Sequence, residues 1–322
     1  MAEPRVSHVE VDPDDAGMRL DRWLRRGFPD VPLGALSKIV RTGQLRVDGA
    51  RVKLETRLEA GQSVRLPPQM TGGATAAPSG PVSGAAGDAA ALEAMVIYRD
   101  EAIVVLNKPF GLAVQGGSGI SRHVDGMLEA WRDKKGRKPR LVHRLDRDTT
   151  GVLVIALKRS IAAALAETFK GRDAEKTYWA LTRGHPSPDE GRISTWMGRD
   201  PRDSEKMAVL PQKTKEAQRA TTLYETLDRS GQLSLLRLSP VTGRTHQLRV
   251  HCAHIGVPII GDPKYFNVEN WALPGGIQNR LHLHARHITL PHPDGGTLNV
   301  TAPVSPHFHQ SLTVLGLSPT GG

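Results

Sequence analysis

"HRLDRDTTGVLVIAL", residues 143–157, joins two environments that rarely meet in so short a stretch. Its first six positions hold a histidine, two arginines and two aspartates, while its last six, Val152–Leu157, are all apolar. A short apolar run rich in β-branched residues and bounded by Thr149, Thr150 and Gly151 reads as a strand buried on both faces. A charge-dense segment is usually a solvated loop. This one opens onto a core strand, so Asp146 is set between Arg144 and Arg147 at the mouth of a hydrophobic interior.

Outward from that strand the body reads as mixed α and β. "MVIYRDEAIVVLNKP" (95–109) predicts strand, turn, strand, and "TYWALTRG" (177–184) another strand. Ser160 is placed to cap a helix running through Phe169. "ATTLYETLDRSGQLSLLRLSP" (220–240) predicts a hairpin around Ser230-Gly231. In "THQLRVHCAHIG" (245–256), Leu248, Cys252 and Ile255 share one helical face ahead of a glycine stop at Gly256. Hairpin-joined strands with unevenly placed helices predict an α+β fold with a mixed, mainly antiparallel sheet.

Residues 68–91 read as a flexible linker: 71–91 contain one charged residue and no aromatic, too little to offset chain entropy. They separate a catalytic body, 92–310, from a small unit, 16–67. Residues 1–15 read as an acidic tail and 311–322 as a C-terminal tail. The small unit has eleven Lys or Arg against five Asp or Glu, so it carries +6 of the chain's net +10. Leu20, Trp23 and Leu24 predict one helix; Leu33, Leu36, Ile39 and Val40 predict a second, ending at Thr42-Gly43. "QLRVDGARV" (44–52) predicts a hairpin about Asp48-Gly49. These elements, in "RLDRWL…LSKIVRTGQLRVDGARV", resemble the RNA-binding domain first described in the ribosomal S-four protein. That resemblance implies RNA contacts from Arg22, Arg25, Arg26, Lys38, Arg41 and Arg46.

Composition narrows the function classes. A strong positive balance favours a polyanionic partner. One cysteine in 322 residues excludes an internal disulfide framework and suits a reducing, cytoplasmic compartment. "MAEPRVSHVEVDPDDAG" has no apolar core for a secretory signal, and no apolar run approaches the ~20 residues of a membrane helix. The histidines at 246, 251, 254, 282, 284 and 287 match no standard zinc spacing, so no metal is expected.

"HRLDRDTTG" and "TGRTHQLRVH", followed by "GVPIIGDPKY" and "LHLHA", are similar in kind and order to the pseudouridine synthases of the RluA family, which modify large-subunit ribosomal RNA. The coupling to an S-four-type unit and the segment "GLAVQGGSG" are most similar to the RluC branch. One departure is Thr150, where many relatives carry serine; a hydroxyl is retained. The resemblance implies Asp146, Tyr178 and Arg249 as catalytic: Asp146 as the carboxylate, Arg249 as its guanidinium partner, Tyr178 against the target base. It implies Arg144 as the group that fills the gap left by a flipped uridine. His143, Arg147, Arg244 and His246 join it as RNA contacts, His143 packing beside or under the loop. Lys108 and Lys176 flank the site without an assigned role. "RDKKGRKPR" (132–140), with six basic residues and one acid, is read as a contact to RNA backbone.

Turning uridine into pseudouridine breaks N1–C1′, forms C5–C1′ and releases the C5 proton. Oxidation state does not change, so no cofactor is expected. In a dry site a carboxylate needs an opposite charge to stay ionised, the part the resemblance assigns to Arg249. The partner expected is large-subunit ribosomal RNA, with no membrane and a monomeric protein. The alternatives are a synthase acting on transfer RNA and an inactive RNA-binding ribosome-assembly factor.

Overall fold

The computed structural model describes residues 6–28, 31–71, 85–117, 119–212, 214–266 and 271–318. The small unit contains β1 (Ser7–Glu10), α1 (Leu20–Gly27), α2 (Leu33–Arg41), β2 (Arg46–Val47) and β3 (Ser63–Leu66), the strands in the order β1-β3-β2. Trp23, Leu24, Leu36, Ile39 and Val40 enclose its core with Leu45 and Val64, as their helical spacing requires. The Asp48-Gly49 turn forms, both residues having positive φ, but Val47 and Ala50 close only a single bridge. The strand partner of β2 is β3, with Arg46 opposite Arg65. The expected tail 1–15 is structured from Ser7 onward, because β1 pairs with β3 and Val11 is fully buried.

The linker range 68–91 holds helix α3 (Pro68–Thr71) and the start of α4 (Ala85–Glu93); residues 72–84 lie outside the described residues. Leu92 of α4 is fully buried in the main core, so the body begins earlier than composition suggests. It continues with β4 (Val96–Arg99), β5 (Ile103–Lys108), α5 (Val124–Met127), β6 (Arg140–Leu141), β7 (Thr150–Ala156), α6 (Arg159–Gly171) and β8 (Glu175–Arg183). Then follow β9 (Glu190–Arg199), β10 (Met207–Val209), β11 (Gln218–Ser230), β12 (Leu233–Pro240) and α7 (Gln247–His254). The last elements are β13 (Leu283–Pro291), β14 (Thr297–Thr301) and α8 (Pro306–Leu315). The expected C-terminal tail is partly core, since α8 buries Leu312 and Leu317 follows it inside.

Among the described residues the body forms one mixed sheet of 11 strands, with the path β10-β9-β11-β12-β8-β13-β7-β5-β4 and with β14 and β6 beside β13 and β7. Every residue of β7 is buried, and each fully buried aliphatic side chain there contributes about 1.5–3 kcal/mol. β13 runs parallel to β7 and antiparallel to β8, lying between them. Where β13 meets β7, Gly151 has φ +105°, and a Cβ there would sit 2.1 Å from the Ala285 carbonyl oxygen. Only glycine allows that approach. Gly151→Ala is expected to cost roughly 3 kcal/mol or more through overpacking and backbone strain, read as a shift in the denaturant midpoint.

The small unit docks on the body through acidic residues at its start. Asp14 Oδ1 accepts the Ser160 backbone N–H at 2.9 Å, so a carboxylate from the other unit satisfies a free amide at the start of α6. Ser160 is therefore the capped residue, not the cap. Asp12 pairs with Lys135 at 2.5 Å and Arg137 at 3.1 Å, and Arg159 Nη1 lies 3.4 Å from the Asp15 carbonyl oxygen. The two units are packed together, where the linker reading expected tethered modules.

Candidate active site

The loop 143–149 is held from below and behind before it presents any charge. The Thr149 N–H reaches the Asp146 carbonyl at 3.2 Å, closing the turn. His143 Nε2 accepts the Val154 N–H at 2.8 Å, and its ring stacks on Phe169 at 4.7 Å. Burial, with Lys176 nearby, pulls this imidazole down to about 3, so it stays neutral. His143 is thus bound to strand β7, consistent with packing beside the loop rather than direct RNA contact. Thr150 Oγ1 meets His284 Nδ1 at 2.8 Å, which ties "TTG" to "LHLHA" across the parallel strand pair. Lys108, fully buried at the end of β5, donates to the carbonyls of Pro109, Leu112 and Arg147 at 3.0, 2.8 and 2.8 Å. Burial pulls it to about 7 against the pull of Asp148 and Asp146. Lys108, one of the two lysines without an assigned role, is the floor of the loop.

Opposite stands α7. Gln247, at its first position, is buried with four hydrogen bonds: to Thr242 and the Arg244 N–H through its oxygen, to Thr221 and Thr222 through its nitrogen. His251 bridges Thr222 and Thr195 at 2.8 and 2.9 Å, binding α7 to β11 and β9. This fixed helix aims Arg249 at the loop. Arg249 Nη1 donates to Asp146 Oδ2 at 3.2 Å, and its Nε and Nη2 donate to Asp262, both at 2.7 Å. One guanidinium therefore faces two carboxylates, and Asp262, whose side chain is 0 % exposed, holds the stronger pair of bonds. Asp146 is held by one oxygen, and Oδ1 accepts no hydrogen bond from the described residues. Tyr265 lies under the guanidinium at 5.1 Å.

Asp146, Tyr178 and Arg249 all line a cavity of about 540 Å³ with Arg144, His246 and Leu283. Tyr178, half-buried on β8, has a hydroxyl with no hydrogen bond among the described residues. Burial and the nearby Asp146 charge push its phenol well above the ordinary value. A phenolate base is disfavoured there. Tyr178→Phe is therefore expected to lose less than the ~10²–10⁴-fold that removal of a general base costs, while Tyr178→Leu loses more by removing the aromatic face. Single-turnover rates on one RNA substrate compare the two.

The remaining RNA-contact candidates divide. Arg144 and Arg244 are exposed at the cavity; Arg244 reaches the Arg219 carbonyl at 3.3 Å. Arg147 is exposed, with Nε at 3.2 Å from the Gly111 carbonyl. Arg22, Arg25, Lys38 and Arg41 are exposed on the small unit. Arg26 instead pairs with the buried Asp15, and Arg46 donates to the Gly43 and Gly49 carbonyls. Both therefore make contacts inside the small unit as well as being partly exposed. In the basic run 132–140, Lys135 and Arg137 pair with Asp12, Lys138 with Asp125 and Glu129, and Arg132 with Glu129, while Lys134 and Arg140 are exposed. Reading the motifs missed Asp262 and Tyr265. The available signal was Gly261, whose φ of +71° and tight approach to the Arg280 backbone fix the following aspartate.

Among the described residues no cluster of potential metal ligands forms and no helix is long and apolar enough to cross a membrane. Residues 102–254 match the family model described as RNA pseudouridylate synthase. The chain is 35% identical over 315 residues to the Vibrio cholerae ribosomal large subunit pseudouridine synthase C, covering 96% of each. It is 37% identical over 316 residues to the Escherichia coli protein of the same name, covering 97% of each. Its structure is similar to human RNA pseudouridylate synthase domain containing 4, with TM-score 0.62, 31% identity, 73% of this chain and 97% of that one. The similarity runs through the elements that bring Asp146, Tyr178 and Arg249 to one cavity, and the chain belongs to the RNA pseudouridylate synthase family.

Proposed function

We propose that the protein isomerises specific uridines of large-subunit ribosomal RNA to pseudouridine, with Asp146 as the catalytic carboxylate. The observation that carries this reading is the unequal sharing of Arg249. Asp262 takes two short bonds, and Asp146 keeps one bond to the guanidinium with its other oxygen free in the cavity. A flipped uridine admitted there meets that oxygen at C1′ or the base, and Tyr178 offers an aromatic face while the base turns. Arg144, exposed at the mouth, takes the vacated place in the RNA stack. Arg22, Arg25, Lys38 and Arg41 of the small unit supply contacts to backbone phosphates. The names of the bacterial relatives support the address.

The test is a map of pseudouridines in ribosomal RNA from cells with and without the gene. Specific large-subunit sites are expected to vanish and to return with the parental gene, not with Asp146→Asn. Unchanged ribosomal RNA beside lost sites in transfer RNA would redirect the address and leave the chemistry standing.

A further inference from the structure

Three non-glycine residues have positive φ among the described residues: Asp48, Arg172 and His246. Asp48 lies in a tight turn and Arg172 at the C-terminal end of α6, where left-handed backbone is usual. His246 is different. It precedes α7 with φ 54° and ψ 16°, whereas a residue in that position normally adopts an extended conformation. Such strain persists only where the surroundings impose it, and it collects at functional sites.

The surroundings here are specific. Tyr265 Oη accepts the Met207 N–H at 2.9 Å and lies 2.7 Å from His246 Nδ1. Of the two imidazole tautomers, the one that turns an Nε2–H toward the loop is the one in which the phenol donates its own proton to Nδ1. A neutral imidazole whose Nδ1 accepts carries its hydrogen on Nε2. That Nε2 faces Asp146 Oδ2 at 3.8 Å, the same oxygen that Arg249 holds at 3.2 Å.

We propose that neutral His246 is a positioning residue for Asp146, closing its Nε2–H onto Oδ2 when RNA fills the cavity, so that Oδ1 is the oxygen presented to the nucleotide. The inference rests on Asp146 as the catalytic carboxylate. It moves His246 from RNA contact to orientation of that carboxylate. The groups facing the imidazole are Asp146 from the loop, Arg249 from α7, and Asp262, Lys264 and Tyr265 from the segment after Gly261. Burial first, then Arg249 and Lys264, pull it below its ordinary 6.5 against Asp146 and Asp262. The neutral form therefore prevails at pH 7. Charging sets in below pH 6.5, and a proton on Nδ1 then reverses this bond, the Tyr265 hydroxyl turning its own proton away to accept instead.

The experiment is single-turnover conversion of an unmodified large-subunit ribosomal RNA transcript by the full chain, with RNA affinity and melting temperature measured beside it. His246→Ala is expected to slow conversion by about tenfold or more with RNA affinity changed less than about twofold. His246→Gln, whose amide nitrogen falls near the place of Nε2, is expected to recover to within about threefold of the parent; His246→Asn, too short, is not. The parent rate should fall as pH drops below 6.5, and the glutamine variant should lack that acid limb. An unchanged rate in His246→Ala, equal losses of rate and affinity, or a glutamine variant as slow as alanine would each overturn the proposal. Asp146→Asn in the same assay separates the two levels. If it is inactive while His246→Ala is unimpaired, only the role of His246 fails; if it is active, the carboxylate reading fails as well.

Discussion

Asp146→Asn is expected to reduce pseudouridine formation by more than about 10³-fold, the scale of losing a preorganised charge at a reacting centre. RNA affinity should stay within about twofold, because the exposed cations that reach phosphate are untouched. The substitution is nearly isosteric, and the guanidinium does not depend on it: Arg249 keeps both 2.7 Å bonds to Asp262. The melting temperature should therefore hold while chemistry fails. A variant that turned over at near the parental rate would remove the carboxylate from the mechanism.

Arg249→Met should produce the other large effect, and a different one. It leaves the Asp262 side chain, with 0 % exposure, without the guanidinium that satisfies it. Removing one partner of a buried ion pair costs about 3–5 kcal/mol, mostly from the charge left behind. The expected outcome is a marked fall in denaturant midpoint together with loss of activity. Arg249→Met/Asp262→Leu should regain much of the stability, since an apolar pair of similar volume replaces the ions, but none of the activity. Recovery of activity in that double variant would show that Arg249 serves the fold alone. Stability unchanged in the single variant would mean that Asp262 finds another partner.

What could be read in advance depended on whether a feature and its partner lie close in sequence. The strand Val152–Leu157 and the Ser230-Gly231 hairpin are local patterns, and both form as expected. The Asp48-Gly49 turn was legible for the same reason. The strand that pairs with β2 was not, because Arg46 and Arg65 meet only through the fold. Asp146, Tyr178 and Arg249 were singled out through their motifs, and all three line one cavity although 103 positions separate the two ends of the ion pair. Asp262 escaped because a fully buried carboxylate reverses the usual exposure of aspartate. The basic run 132–140 shows the same limit from the other side. Its charges are plain in the sequence, but Asp12 lies more than a hundred residues away, so the pairing of Lys135 and Arg137 with it was not legible.

The position of β13 has a consequence for the order in which the molecule becomes functional. Synthesis delivers β4 to β7 and the Asp146 loop first, then β8 to β12 and α7 with Tyr178 and Arg249. In the finished sheet β13 lies between these halves, yet it ends only at Pro291 of 322 residues. Domains tend to fold as units once their sequence has emerged, and non-local strand pairing is slow to close. A nascent chain short of β13 can hold Asp146, Tyr178 and Arg249 and still lack the strand that lies between their halves of the sheet. A chain ending before Leu283 is thus expected to leave its two halves unjoined however well each folds, because the strand that pairs with both β7 and β8 is missing.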